Sequence, residues 1–169
     1  PSEKGDIYIA INRCIDILES DSVSDSEKSF YLKLLVHFVV DLHQPLHIGR
    51  YEDRGANKVY VKWFGRNSNL HRVWDSDMIN GHNMSYSELA LNLPNPELLV
   101  FTKEAKDFER SDILDWVNEL HTYTNQIYEG VSIDDKLGYK YQYENFDTAK
   151  ELLLIAGIRL AKILNYLFD

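Results

Sequence analysis

Cysteine is almost absent from this chain. Cys14 is the one thiol in 169 residues, which excludes an intrachain disulfide and any CxxC zinc site. Long apolar runs are absent as well. None approaches the ~20 residues of a membrane span, so the chain is not expected to be membrane-embedded. The start, PSEKGDIYIA, lacks the basic opening and apolar stretch of a signal peptide. Repeats and low-complexity tracts are missing. Positive charge is scarce: 18 Lys and Arg face 27 Asp and Glu, a formal net charge of −9. Non-specific duplex binders neutralise phosphates with Lys and Arg, and this balance argues against one. An acidic protein that handles nucleic acid or phosphate esters needs a local positive source, and bound metal ions can be that source.

What remains is an ordinary globular composition with enough chain for one domain and a real core. Residues 6–20 place Ile7, Ile11, Ile15 and Leu18 near helical spacing. Ser24 followed by Glu27 is a capping-box pattern that opens a helix from about Ser26 to Leu42. Pro45 disfavours helix at Gln44 and ends it. Residues 48–57 read as a loop. VYVKWFG then alternates as a strand or hairpin ending near Gly65–Asn67. Further helices are expected over 69–80, 83–91, 95–109 and 111–129, with irregular chain over 130–143. A long amphipathic helix capped near Asp147 closes the sequence. The expected fold is mainly α, a single domain with a small β-hairpin.

Chemistry concentrates in VHFVVDLHQPLH, residues 36–47. His37 and Asp41 stand four apart, one turn on the same helix face. Their helix is apolar nearly all round, which predicts burial, and a buried carboxylate needs a partner. NLHRVWDSDMI repeats the device with His71 and Asp75. His47 follows Pro45, where the helix has ended. Imidazole and carboxylate are natural zinc ligands, and three protein donors leave one place open for water. His47, His71 and Asp75 make such a set. A hydrogen-bonded His–Asp pair is the alternative that spacing alone leaves open. His43 points away from Asp41 and suits supporting or backbone hydrogen bonds. His82 and His121 read as ordinary polar positions.

HFVVDLHQPLHIG, the D-R-G-A-N at 53–57 and NLHRVWD at 69–75 together resemble the S-one/P-one type of zinc-dependent single-strand nucleases. Bacterial zinc-dependent phospholipase C is a more distant relative. AGIRLAKILN and WVNEL with Tyr128 extend the likeness over most of the chain. The resemblance implies a mainly α-helical domain around three clustered Zn2+ ions. It puts His37 and Asp41 on the first zinc, with Asp41 also bridging to the third, and His47, His71 and Asp75 on the second. It implies in-line attack of a metal-held water, single-stranded DNA or RNA as substrate, 5′-phosphorylated products and removal of 3′-phosphates. It also implies a secreted or periplasmic protein with no stable protein partner.

The sequence departs from the family pattern in places. The family's initial Trp and early His, and a later Asp and His, have no counterpart before His37. The expectation is that residues 1–169 are the C-terminal part of a longer nuclease domain. Ala56 stands where the family usually has Gly, and Leu120 where a small Ser is common. Asn57 could bond a phosphate oxygen or base edge, or hold the turn with Asp53. Tyr60, Trp63 and Phe64 could offer a base-stacking face or pack the small sheet on the helices. Two other functions fit the same residues: a phospholipase-C-like phosphoesterase, and a non-catalytic zinc-stabilised helical module.

Overall fold

A computed structural model describes residues 5–97 and 107–169. Helix α1 spans Ile7–Glu19, and Asp6 caps it by accepting the Ile9 N–H at 3.0 Å. Its buried residues Ile11, Cys14, Ile15 and Leu18 form one stripe at helical spacing. Helix α2 spans Asp25–Leu42, with Ser24 Oγ accepting the Glu27 N–H. The two helices pack together, and their buried residues join Ile113, Trp116, Leu120, Leu152 and Ile163 from the later helices in one core cluster. Each such large side chain contributes roughly 1.5–3 kcal/mol relative to exposure.

The burial expected all round α2 is corrected by the structure. Leu35, Val39 and Leu42 are buried, but Phe30 is 57 % exposed and Val36 and Val40 are each 39 % exposed. Apolar side chains on a helix need a neighbour before they are buried, and the neighbours here cover one face only.

After α2 the chain makes a 3-10 turn, Pro45–Ile48, capped by Gln44, whose side-chain oxygen accepts the Leu46 N–H at 2.6 Å. Strands β1 (Tyr60–Trp63) and β2 (Arg66–Asn69) form the expected hairpin. Its turn, Phe64–Gly65, has φ of 47° and 79°, the positive-φ pair of a two-residue hairpin turn. The sheet has a third strand, β3 (Lys136–Leu137), parallel to β1. Strand β3 lies within the stretch expected to be irregular, because two residues are too few for alternation to register.

The helical stretch expected over 69–80 is three pieces: α3 (Leu70–Arg72), a π-helical turn (Val73–Asp77) and α4 (Met78–Gly81). A short helix α5 (Tyr86–Leu91) opens on a full capping box of Ser85 and Glu88. The helix expected over 95–109 falls largely outside the described residues. Helix α6 is Asp112–Glu129. Helix α7, Tyr139–Phe168, is 30 residues long and starts after Gly138, not near Asp147. Asp147 is an exposed mid-helix residue paired with Lys150 at 2.7 Å. The extra turns are anchored from outside the helix, by the Trp74 Nε1–H donated to Tyr141 Oη at 2.9 Å.

A second core cluster gathers Leu46, Ala56, Val61, Leu70, Val73, Trp74, Met78, Ile127 and Phe146. It joins the 3-10 turn, the loop after it, the sheet and the helices that follow the sheet. Among the described residues, no helix is long and apolar enough to cross a membrane.

Candidate metal centre

His47, His71 and Asp75 come from three different pieces of backbone. His47 sits in the 3-10 turn, His71 in α3 and Asp75 in the π-helical turn. One donor atom from each lies within 4.8 Å of the others. Tetrahedral zinc with ligands at ~2.0–2.2 Å puts its donors roughly 3.4 Å apart. His47 Nε2 and Asp75 Oδ1 are already at 3.2 Å. The His47 and His71 rings are stacked, with centroids 5.1 Å apart. Two imidazoles and a carboxylate are a donor set that fits zinc and leaves a coordination position open. A π-helical turn inside a helix is a common feature of functional sites, and here it carries Asp75.

His37 and Asp41 form a second group beside the first. Asp41 Oδ2 is 3.2 Å from His37 Nε2 and 3.6 Å from His47 Nδ1. Asp41 thus stands between the two groups. Its side chain is 33 % exposed and that of His37 is 61 % exposed. Asp41 lines a surface cleft and His37 is exposed beside it, outside the core that the apolar run suggests.

The polypeptide around the centre orients its donors. His71 Nδ1–H donates to the Gly55 carbonyl at 2.8 Å. A carbonyl can only accept, so Nδ1 carries the proton and Nε2 keeps its lone pair for a metal. The Gly55 carbonyl is placed by a loop that folds back on the 3-10 turn. A Cβ on Gly55 would come within 2.1 Å of the Leu46 carbonyl oxygen. Arg54, Gly55 and Ala56 all adopt left-handed φ, at 58°, 62° and 64°. Ala56 therefore holds, at a steric cost, the conformation that glycine adopts freely.

Asp53 pins this loop. Its Oδ1 accepts from the Ala56 N–H and from the Tyr128 hydroxyl, each at 2.7 Å. Tyr128 Oη in turn accepts the Arg50 N–H at 3.2 Å. Burial and the bond to Asp53 push the Tyr128 phenol up to about 12. Thr124 Oγ1 lies 2.7 Å from the Pro45 carbonyl and 3.0 Å from that of Leu120. Through Thr124, α6 holds the turn that carries His47. Asn57 Nδ2 donates to the Arg54 carbonyl at 2.9 Å, the turn-holding bond among the roles expected of it.

His43 turns away from the cluster into the core. Its Nδ1–H donates to the Val39 carbonyl at 2.7 Å, and Nε2 lies 3.2 Å from Arg159 Nη1. Arg159 is buried, pairs with Glu119 and lies over the Trp116 ring with its Cζ 5.0 Å from the centroid. Sequence reasoning passed over Arg159. The signal was a cation inside the apolar run LLLIAGIRLAKIL. It also passed over Asp77, which accepts from Ser68 Oγ at 2.8 Å and Arg72 Nε at 3.2 Å and ties β2 to the π-helical turn. His82 stacks on Phe146, outside the cluster. Phe64 packs edge-on against Trp63 and Tyr139 yet stays exposed, as Tyr60 does.

The architecture is thus a mainly α-helical domain with a His–His–Asp centre between a 3-10 turn and an interrupted helix. The chain belongs to the S1/P1 nuclease family, which matches it over residues 1–169. Endonuclease 3 of Arabidopsis thaliana is 32 % identical over 98 % of this chain and 60 % of its own length. Endonuclease 2 of the same plant is 27 % identical over 97 % of the chain and 61 % of its length. Nuclease S1 of Aspergillus oryzae is 28 % identical over 83 % of the chain and 55 % of its length. The chain spans about half to three-fifths of the length of these curated relatives.

Proposed function

We propose that this protein is a zinc-dependent phosphodiesterase of single-stranded DNA and RNA that yields 5′-phosphorylated products and removes 3′-phosphates. The observation that carries the reading is the three-donor set His47, His71 and Asp75 in a chain of the S1/P1 nuclease family. A structural zinc site is closed by four protein donors, whereas a catalytic one keeps a position for water or substrate. The resemblance supports a complete centre of three zinc ions and a secreted or periplasmic location.

His47, His71 and Asp75 would hold one ion, and His37 and Asp41 would contribute to its neighbours. Bound zinc supplies a water of lowered pKa, polarises phosphoryl oxygens and stabilises the leaving oxygen. Asp41 would be a ligand together with His37, whose Nε2 lies 3.2 Å from its carboxylate, and the resemblance gives it the further role of a shared ligand. The Gly55 carbonyl keeps the His71 tautomer in which Nε2 can ligate. Two donors do not fill a metal's shell, so an ion held by His37 and Asp41 would need further ligands. Asn57 has a second N–H beyond the one given to Arg54, and that donor is assigned to a substrate phosphate oxygen.

His71→Ala is the direct test. In the full-length protein it is expected to remove about one zinc per chain and to lower hydrolysis of a single-stranded oligonucleotide by at least ~100-fold, the upper range for disturbed metal sites. Unchanged hydrolysis would overturn the reading.

A further inference from the structure

Loop 49–58 holds three cations that the metal centre does not use. Arg50, Arg54 and Lys58 line one depression of about 540 Å³ together with His47, Gly49, Tyr51, Glu52 and Gly55. All three are exposed. Among the described residues none of the three forms an ion pair with a carboxylate, whereas Arg72, Arg110, Lys140, Lys150 and Arg159 each do. In a chain with nine more acids than bases, three cations against the single carboxylate of Glu52 around one hollow form a distinct positive local field.

The hollow is also ordered. The Arg50 guanidinium lies 4.2 Å above the Tyr128 ring centroid, and its main-chain N–H is bound by Tyr128 Oη. Lys58 Nζ donates to the Glu52 main-chain carbonyl at 2.8 Å, so the Glu52 carboxylate does not neutralise it. The hollow is continuous with the metal centre. His47, Arg54 and Gly55 also line the larger cleft, about 720 Å³, that contains Asp41 and His71. Tyr51, on the same rim, is 93 % exposed.

We propose that this hollow is a subsite for a second phosphate of a polynucleotide, adjacent to the phosphate at the metal centre. This rests on the proposed nuclease reading. Arg and Lys suit the ligand: guanidinium groups bind phosphate through paired N–H donors and ammonium groups bind it as point charges. The wall shared through His47, Arg54 and Gly55 makes neighbouring phosphates of one strand the matching ligand. The exposed Tyr51 ring offers a stacking face for the base between them, without sequence preference. The subsite thus favours chains over mononucleotides.

The test is binding, read apart from hydrolysis. A short single-stranded phosphorothioate oligonucleotide carrying a fluorophore is titrated with zinc-loaded full-length protein, and anisotropy is followed between about 50 and 200 mM salt. The Arg54→Gln, Lys58→Gln double variant is expected to bind about tenfold more weakly. The slope of log affinity against log salt should fall by about 0.7, the value for one single-strand phosphate contact. Arg50 is left in place because it stacks on Tyr128. The charge-matched Lys28→Gln, Lys136→Gln variant should bind as the unsubstituted protein does. Equal losses in both double variants, or none in either, would overturn the subsite. If affinity follows Arg54 and Lys58 but the unsubstituted protein hydrolyses no oligonucleotide, the subsite stands and the nuclease reading falls.

Discussion

His43 and His47 are four residues apart and are used in opposite ways. His43 is buried against Val39 and Arg159, while His47 faces Asp41 and Asp75 in a cleft. Removing His43 takes a packed ring from the core and one acceptor from Arg159. Losing a partner of a buried polar group costs about 1–3 kcal/mol. His43→Ala should therefore lower stability in urea unfolding by roughly that much while zinc per chain, measured by metal analysis, stays the same. Loss of one zinc would mean that His43 is a ligand. Helical spacing already turns His43 away from Asp41 in the run VHFVVDLHQPLH, and the packed structure adds the partner it meets there, Arg159.

At the scale of elements, the centre depends on a loop and a turn fitted to one another. Gly55 approaches Leu46 so closely that a methyl group at its Cα would displace the loop. Gly55→Ala should shift the carbonyl that orients His71 and weaken zinc binding by about 10–100-fold, the range for lost orienting partners. Competition with a chromophoric chelator reads this directly, and unchanged affinity would show that the loop does not orient His71. Thr124→Val should cost about 1 kcal/mol through the lost bond to the Pro45 carbonyl, measured by thermal unfolding. The elements were largely legible in the sequence. The stripe of α1, the Ser24 cap and the Pro45 stop each act within a few residues. Strand β3 and the start of α7 were not legible. Lys62 N–H bonds to the Asp135 carbonyl and Trp74 to Tyr141, pairings between positions far apart in the chain.

On the scale of the whole molecule, two part-buried phenols tie the centre's surroundings to the last two helices, Tyr128 of α6 through Asp53 and Tyr141 of α7 through Trp74. Tyr128 and Tyr141 are each raised from 10.0 to about 12, chiefly by burial. A phenol whose pKa is raised by folding adds stability that is complete below its unfolded value. That stability is lost as pH rises through the folded value. The protein should thus lose stability between about pH 10 and 12. Absorbance at 295 nm should show late-titrating phenols, and Tyr141→Phe should remove one of them. If all eleven tyrosines titrated together near their ordinary value before unfolding, burial would not be the cause.

The sequence by itself determined the candidate donors, five His and Asp residues in two short segments. The pairs His37–Asp41 and His71–Asp75 were readable because a helical turn brings residues four apart to one face, a local property of the backbone, and His47 because it stands just past the Pro45 stop. Binary patterning likewise determined a mainly α-helical chain. Only the tertiary structure decided the rest. It brought His47 onto His71, chose the His71 tautomer through Gly55, sent His43 to Arg159 and left one face of α2 open. It also collected Arg50, Arg54 and Lys58 around one hollow. Each of these depends on which distant segment lies opposite a residue, and spacing along the chain carries no record of that.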